Sequence, residues 1–327
     1  MREIVIATPL NANAASQPYD FMDGISIRDL SGKIDWDGSI IKRTVSEHDY
    51  EHLTGMRYWL CVTGEQTADD EQLYSKAHRA AMAMQLVLPI GAMHLFLKLE
   101  HSALTYDNTG SSHPRHLCST LLGRIANLEA QNPAGSFDAI YKGVSRAFAE
   151  KLIRLQNPIL LLEHGMQACH VPLSTLMFVI GLDMLFMAGS IGPFVRRIGG
   201  FVGPHHLIFP PDAMERQPNT KAVDVLEDLY TFRNKIGHGH EIPQKPFRQP
   251  HDLTSTTMEK INFDVHSYAE LMMQSGLFIL AGTLRRIFTE GMMDEVKDRS
   301  RWRQRMRDAE QRYCNEGGRE PRRSEGY

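Results

Sequence analysis

Three residues at the end of one predicted helix have the types and spacing to act on a phosphodiester. The apolar pattern predicts a helix over 220–236, in which Arg233 and Asn234 lie in the last turn, and His238 follows Gly237. Histidine transfers protons near neutral pH, and arginine stays charged and holds phosphate oxygens bidentately. An adjacent amide can orient the imidazole or the phosphate. These residue types could cleave RNA without a metal, because that reaction uses the 2′-hydroxyl as nucleophile and needs a base, a cation and an acid.

The separation of Arg233 and His238 is weak evidence when taken alone. The segment RTVSEH has the same separation between Arg43 and His48, in a region predicted to be strand and loop. The strong helix, the neighbouring Asn234 and the Gly-His-Gly sequence that follows distinguish the first pair from the second. A structural alternative stays open, in which Arg233 and His238 bond the last carbonyls of the helix.

The segment LYTFRNKIGHG, residues 229–239, resembles the signature of HEPN domains, particularly the Apea-like branch. The likeness covers about 136–290. The segment VIGLDMLFM resembles the apolar helix of the family that carries a carboxylate, with Asp183 where glutamate is usual. The segment PFVRRIGGFVG resembles the arginine-containing helix that follows it, and SYAELMMQSGLFILAGTLRRIF resembles the last helix.

The resemblance implies an all-α bundle that forms a homodimer, so that two Arg/His motifs meet in one composite cleft. It implies a metal-independent endoribonuclease in which Arg233 and His238 are catalytic and Asn234 assists. The implied partners are RNA, with tRNA as one candidate, and an antitoxin or a sensor of a bacterial defence system. The alternative is a non-catalytic module of the same fold that binds RNA, a nucleotide or a protein, because a fold does not guarantee a reaction.

Asp183, Arg196 and Arg197 are supporting candidates with two interpretations each. Asp183 can contribute to the cleft, with a shorter reach than glutamate, or it can be a buried carboxylate that pairs with Arg196 or Arg197. The two arginines can equally contact the RNA backbone. The sequence leaves these alternatives open.

The chain is predicted to be mainly α, with a C-terminal HEPN-like helical bundle and a small mixed α/β region at the amino end. The predicted regions are 1–115 (mixed α/β), 116–292 (helical domain) and 293–327 (a charged helical or disordered tail). Strands are predicted over 3–7, 25–27, 57–62 and 94–99. Helices are predicted over 71–88, 116–130, 136–155, 158–169, 172–188, 193–202, 220–236 and 255–290.

Two helix boundaries and the tail carry specific predictions. Pro158 and Pro172 are expected in the first turns of their helices, where a missing N–H has no cost. In the tail, arginine alternates with other residues around Trp302, at positions Arg299, Arg301, Arg303, Arg305 and Arg307. This spacing distributes charge around a helix, so a solvated helix is favoured over an RNA-binding groove.

Composition excludes several classes of protein. Lys and Arg number 36 against 39 Asp and Glu, a net charge of −3, so the protein is not globally basic and any RNA affinity requires a local basic cleft. Four cysteines without a CxxC pair, and histidines without zinc spacing, predict no metal site, no cofactor and a reducing cytoplasm. A metal hydrolase built from the scattered histidines is a third, less favoured hypothesis.

The amino terminus lacks the features of a signal peptide, and no membrane association is expected. The apolar segment 172–189 is just long enough to span a bilayer, but Asp183 lies in its middle. We therefore predict that this segment is a core helix.

Overall fold

The computed structural model describes residues 3–10, 17–39, 41–44, 47–65, 69–87, 95–100, 102–105, 133–168, 170–208, 220–238 and 265–318. The chain is mainly helical with a small antiparallel sheet near its amino terminus, as the sequence predicts. It divides into two compact units, Met1–Ala149 and Glu150–Tyr327. The predicted helix over 116–130 lies outside the described residues.

The first unit contains a six-stranded antiparallel sheet with the order β2-β3-β4-β1-β5-β6. The strands are β1 Glu3–Pro9, β2 Tyr19–Asp20, β3 Ile25–Asp29, β4 Tyr58–Glu65, β5 Leu97–Glu100 and β6 Ala103–Thr105. All four predicted strands are present. Ala7 of the central strand lies opposite Cys61 on one side and Leu97 on the other.

Both faces of this sheet are buried. Val5, Trp59 and Cys61 point to one face and join a cluster of buried apolar residues, while Ile6 and Leu60, of the other parity, are also buried. The helices of the unit are α1 Ile41–Thr44, α2 Glu47–Thr54, α3 Asp70–Val87 and α4 Pro133–Ala149. Helix α3 packs against β1 and β4, and α4 packs against α3.

The segment 136–155, predicted as one helix, belongs to two helices. The first, α4, ends at Ala149, and the backbone turns at Lys151, which has a left-handed φ of 53°. Phe137 and Val144 of α4 are fully buried in the first unit, where Phe137 stacks on Phe21 at 4.1 Å between ring centroids. The two compact units divide after Ala149, because α4 packs against α3 of the first unit.

The second unit is entirely helical over its described residues, apart from one isolated bridge between Leu207 and Lys221. Its helices are α5 Ile153–Gln167, α6 Val171–Phe186, α7 Ile191–Val202, α8 Ala222–Gly237, α9 Val265–Thr289, α10 Met293–Lys297 and α11 Arg299–Asn315. Helix α6 is central and packs against α5, α8 and α9. Pro172 lies in its first turn, as predicted.

Pro158 is not in a first turn, contrary to prediction. Helix α5 begins five residues earlier, at Ile153, so Pro158 removes one internal hydrogen bond. The helix tolerates this loss because Pro158 is buried against α6. A Cβ atom added to Gly181 would lie 3.6 Å from the Pro158 Cα and 2.9 Å from Leu280, so three helices pack closely at this glycine.

The charged tail is part of the second unit, which corrects the prediction of a solvated helix. Trp302 and Tyr313 of α11 are buried, and the Trp302 indole donates to the Leu185 carbonyl at 2.7 Å. Gly200 of α7 lies against the α11 backbone, since a Cβ there would be 1.8 Å from the Ala309 carbonyl oxygen. One face of α11 is therefore buried, while Arg299, Arg301, Arg303 and Arg307 are exposed.

Within the described ranges, no single helix combines the length and apolar character needed to cross a bilayer. Helices α6 and α7 meet that criterion only as a pair, and they are bent by 80° relative to each other. The prediction that 172–188 forms a core helix is confirmed for the faces that carry Phe178, Leu182 and Phe186, all of which are buried.

Candidate active site at the end of helix α8

Helix α8 positions Arg233, Asn234 and His238 through its packing and its two ends. Val225, Leu229 and Phe232 recur at helical spacing and are fully buried, while Ile236 is partly buried. At the amino end, the Lys221 N–H donates to the Asp224 carboxylate at 3.3 Å, and acidic residues are favoured there. The packing of the buried face therefore fixes the position of the carboxyl end of the helix, which carries Arg233, Asn234 and His238.

The helix ends one residue later than predicted. Gly237 is its last residue, and it does not adopt the left-handed conformation expected of a terminating glycine. His238 is the capping residue, and its backbone N–H donates to the Asn234 carbonyl at 3.0 Å. The His238 side chain is exposed at this end of the helix.

Three side chains hold the Arg233 guanidinium. Its Nη1 donates to the Asn234 side-chain oxygen at 2.9 Å, and its Nη2 lies 3.6 Å from the Asp183 carboxylate. Its Cζ lies 5.3 Å from the centre of the Tyr230 ring, within the range of a cation–π contact. The Arg233 side chain nevertheless remains 31% exposed. The contacts are to side chains and not to the last carbonyls of the helix, so the capping alternative does not describe Arg233.

Asp183 is held at the end of helix α6. Its Oδ1 accepts from the Gly189 N–H at 2.8 Å, across a turn in which Met187 has a left-handed φ of 50°. Its Oδ2 lies 3.6 Å from Arg233 Nη2. The two side chains meet because α6 and α8 pack directly against each other. The side chain is 17% exposed. Asp183 therefore has a backbone partner and a cation, as a largely buried carboxylate requires.

Arg197 does not pair with Asp183. It donates through Nη1 to the carbonyls of Phe186 at 3.2 Å and Met187 at 2.6 Å, and through Nε to Glu310 at 2.5 Å. Arg196 lies farther from the same carboxylate, with 4.0 Å between its Nε and Glu310 Oε2. Of the alternatives left open for Asp183, pairing with Arg196 or Arg197 does not occur, because Arg197 binds the C-terminal carbonyls of α6 and Glu310 of α11 supplies its anion, while Asp183 faces Arg233.

Two residues near the site were missed by the sequence reasoning. Tyr230 is buried beneath Arg233, and burial raises the pKa of its hydroxyl, while the charge of Arg233 lowers it. Its position three residues before Arg233 on one helix face was an available signal. Glu310 lies more than 100 residues from its partner Arg197 and in the segment predicted to be a tail, so no local signal indicated the pair.

The arrangement provides a cation that is oriented but still accessible. A guanidinium has five N–H donors, and the contacts with Asn234 and Asp183 leave others for a phosphate. The exposed His238 lies at the same end of the helix. Among the residues that the structure describes, no group of three or more His, Cys, Asp or Glu side chains could hold a metal ion.

No family model, no curated protein and no solved structure matches this chain.

Proposed function

We propose that the second unit is a HEPN-type, metal-independent endoribonuclease that acts as a homodimer in the cytoplasm. The observation that carries the proposal is the state of Arg233. Its guanidinium is oriented by Asn234, Tyr230 and Asp183, yet its side chain stays 31% exposed, and the exposed His238 caps the same end of the helix. A purely structural arginine would be expected to use its donors internally, as Arg197 does.

In the proposed mechanism, His238 accepts the proton of a ribose 2′-hydroxyl. The 2′-oxygen then forms a bond to phosphorus, and Arg233 stabilises the extra negative charge of the phosphorane. The bond between phosphorus and the 5′-oxygen breaks, and that oxygen takes a proton from an imidazolium. The products are a 2′,3′-cyclic phosphate and a 5′-hydroxyl. DNA lacks the nucleophile and is not cut.

The apolar surface of α6 supports the dimer in this proposal. Leu173 and Met184 are 42% and 38% exposed, and Leu176, Met177 and Ile180, on the same face, are only half-buried. A helix that is apolar on all its faces is normally covered on all of them. This open face adjoins Asp183, so a second copy docked here would bring two Arg233 side chains towards one cleft.

Cleavage of RNA by the purified full chain in EDTA tests the activity. We expect the wild type to cut single-stranded RNA, and Arg233→Ala and His238→Ala each to lower the rate by about 10²–10⁴-fold. A matched control is the second Arg/His pair with the same separation, Arg43→Ala and His48→Ala, which should cut at the wild-type rate. Cleavage that EDTA abolishes, or that both site variants retain, contradicts the mechanism.

The dimer is tested separately by sedimentation. Leu173→Lys with Met184→Lys places two charges on the open face of α6, and we expect a monomer with little cleavage activity. The control is Leu207→Lys, since Leu207 is 39% exposed but lies outside α6. A wild-type monomer that cuts RNA at full rate would show that one copy of the motif is enough.

The alternative function is a non-catalytic module that binds RNA, a nucleotide or a protein. The contact between Arg233 and Asp183 favours it, because a nearby carboxylate competes with a phosphate for the guanidinium. The two functions differ in one measurement. RNA that binds tightly and stays intact after prolonged incubation with the wild type supports the module and contradicts the nuclease.

A further inference from the structure

A second group of arginines lies where helix α5 begins and where α10 passes into α11. Arg154 is in the first turn of α5, and its Nη1 donates to the carbonyl of Val296 in α10 at 2.5 Å. Arg299 is the first residue of α11, three positions after Val296, and Arg303 follows it by one helical turn. Arg299 and Arg303 are neighbours because they lie four apart on one helix, and the contact with Val296 places Arg154 near the start of that helix, where both charges act on it. We call Arg154, Arg299 and Arg303 the junction arginines.

The junction arginines lack the counter-charges that three other arginines of α11 have, whereas Arg307 donates to the neutral Gln304 side chain. Arg301 pairs with Asp298 at 3.5 Å, Arg305 with Glu295 at 2.5 Å, and Arg312 with Glu316 at 3.9 Å. Over the ranges that the structure describes, no carboxylate lies within 4.0 Å of a junction arginine's charged group. Glu150, the acidic residue closest in sequence to Arg154, is bound to Lys297 at 2.9 Å.

The three charges repel one another. Burial lowers the pKa of the Arg154 guanidinium, and the positive charges of Arg299 and Arg303 lower it further. Like charges one turn apart on a helix are unfavourable, and cations in a first turn oppose the helix dipole. An arrangement that is unfavourable in the free protein becomes favourable when an anion binds between the charges.

We propose that the junction arginines bind phosphate groups of the RNA backbone, outside the site at the end of α8. The inference rests on the proposed function for the identity of the polyanion. Guanidinium groups match phosphate oxygens in geometry, and contacts to successive phosphates position an RNA without selecting its sequence. A chain with a net charge of −3 needs such local basic surfaces to hold RNA.

A lipid surface fits these residues less well. Membrane-surface helices combine basic residues with a wide apolar face. Among the described residues, the large apolar side chain exposed beside the junction arginines is Ile153 alone, and α11 turns its apolar face, with Trp302 and Met306, into the unit. Phosphodiester groups of a nucleic acid are therefore the better match.

The test is binding of a fluorescently labelled single-stranded RNA to the full chain, measured by anisotropy against salt concentration. All proteins carry His238→Ala, so that the RNA stays intact. One variant adds Arg299→Gln with Arg303→Gln, and the matched control adds Arg301→Gln with Arg312→Gln. Both pairs remove two positive charges from exposed positions of the same helix, but only the control pair has carboxylate partners.

The logarithm of the RNA association constant falls as the logarithm of the salt concentration rises. We expect this slope to be less steep in the junction variant by about 1.4, or about 0.7 for each lost phosphate contact. This corresponds to binding about 25-fold weaker at 0.1 M salt. The control should change binding by less than about 2-fold, and both variants should melt like the parent. Equal weakening by the two pairs, or no weakening by the junction pair, overturns the proposal.

Two further measurements separate the outcomes. Vesicles of phosphatidylcholine with phosphatidylserine form a second arm, and loss of vesicle binding without loss of RNA binding would assign the junction arginines to lipid and overturn the proposal. Cleavage by the wild type is scored independently. If the wild type never cuts RNA but binds it through the junction arginines, the nuclease proposal fails and this one stands. If it cuts RNA and the two arginine pairs behave alike, only this proposal fails.

Discussion

Two arginines contact the carboxyl end of helix α6, and they are used differently. Arg197 donates to the carbonyls of Phe186 and Met187 and to Glu310, so its donors serve the packing of α6, α7 and α11. Arg233 meets Asp183 at a longer distance, 3.6 Å, and is oriented by side chains around it. The comparison shows that arginines with similar exposure, 23% and 31%, can be told apart by whether their donors are already used.

The conservative substitution Arg233→Lys tests the role of Arg233 and should have the largest effect on RNA cleavage among the substitutions compared below. Lysine keeps the charge but cannot hold a phosphate in the bidentate geometry. We expect kcat for RNA cleavage to fall by about 10²–10³-fold, with a free energy of unfolding within about 1 kcal/mol of the wild type. Steady-state kinetics and urea denaturation measure the two. A variant with wild-type kcat would show that the positive charge alone is sufficient.

Arg197→Met should produce the opposite result. The substitution leaves two helix carbonyls and Glu310 without their donor, so we expect the protein to unfold about 2–3 kcal/mol more easily. Cleavage at a temperature where the variant is folded should match the wild type. Arg301→Met is the control, because its pair with Asp298 is exposed and should contribute less than about 1 kcal/mol. Equal free energies of unfolding for the two variants would contradict the claim that Arg197 stabilises the fold more than an exposed arginine does.

Asp183→Asn should have a smaller effect than either arginine substitution. Asparagine can still accept the Gly189 N–H, but it no longer carries the charge that faces Arg233. We expect a stability change below about 1 kcal/mol, as for a weak, partly exposed ion pair. If Asp183 orients Arg233, kcat should fall by about 10-fold while KM for RNA changes little. A lower KM with unchanged kcat would instead identify Asp183 as a competitor of the phosphate.

Tyr230→Phe should give the smallest change, visible only at alkaline pH. Burial raises the pKa of the Tyr230 hydroxyl in the folded protein, so the folded state holds this proton more tightly than the unfolded state. Its contribution to stability is complete below the unfolded pKa of about 10 and is lost as the pH rises through the higher folded pKa. The wild type should therefore lose stability faster than Tyr230→Phe above about pH 10.

Denaturation at a series of pH values checks this last expectation. Tyr19→Phe is the control, because Tyr19 is exposed and lies in the first unit. Parallel pH profiles for the wild type and Tyr230→Phe would contradict the assignment of the alkaline loss to Tyr230.

Local patterns predicted the elements well. The strands around Val5 and Trp59 and the helix that carries Leu229 all formed where alternation or helical periodicity indicated. The boundaries were less accurate. The segment predicted as one helix over 136–155 divides because Lys151 adopts a left-handed conformation, and Pro158 lies inside a helix because its neighbours in α6 stabilise that position.

The tail was misjudged for a related reason. The alternating arginines indicated a solvated helix, but the same segment carries apolar residues that recur at helical spacing and are all buried: Trp302, Met306, Ala309 and Tyr313. Ala309 and Tyr313 of that stripe pack against Gly200 and Gly199, about 110 residues earlier in the chain. A close approach between two helices becomes visible only when both are seen together.

The amino-acid sequence specified which residues of this protein are candidates for chemistry: an arginine, an amide and a histidine at the end of one amphipathic helix. Such information is local, since helix periodicity and capping depend on residues within a few turns. The tertiary structure alone assigned Asp183 to Arg233 and Glu310 to Arg197. Charge pairing between distant segments depends on which helices pack together, and that is decided by burial of whole faces and not by the charged residues themselves.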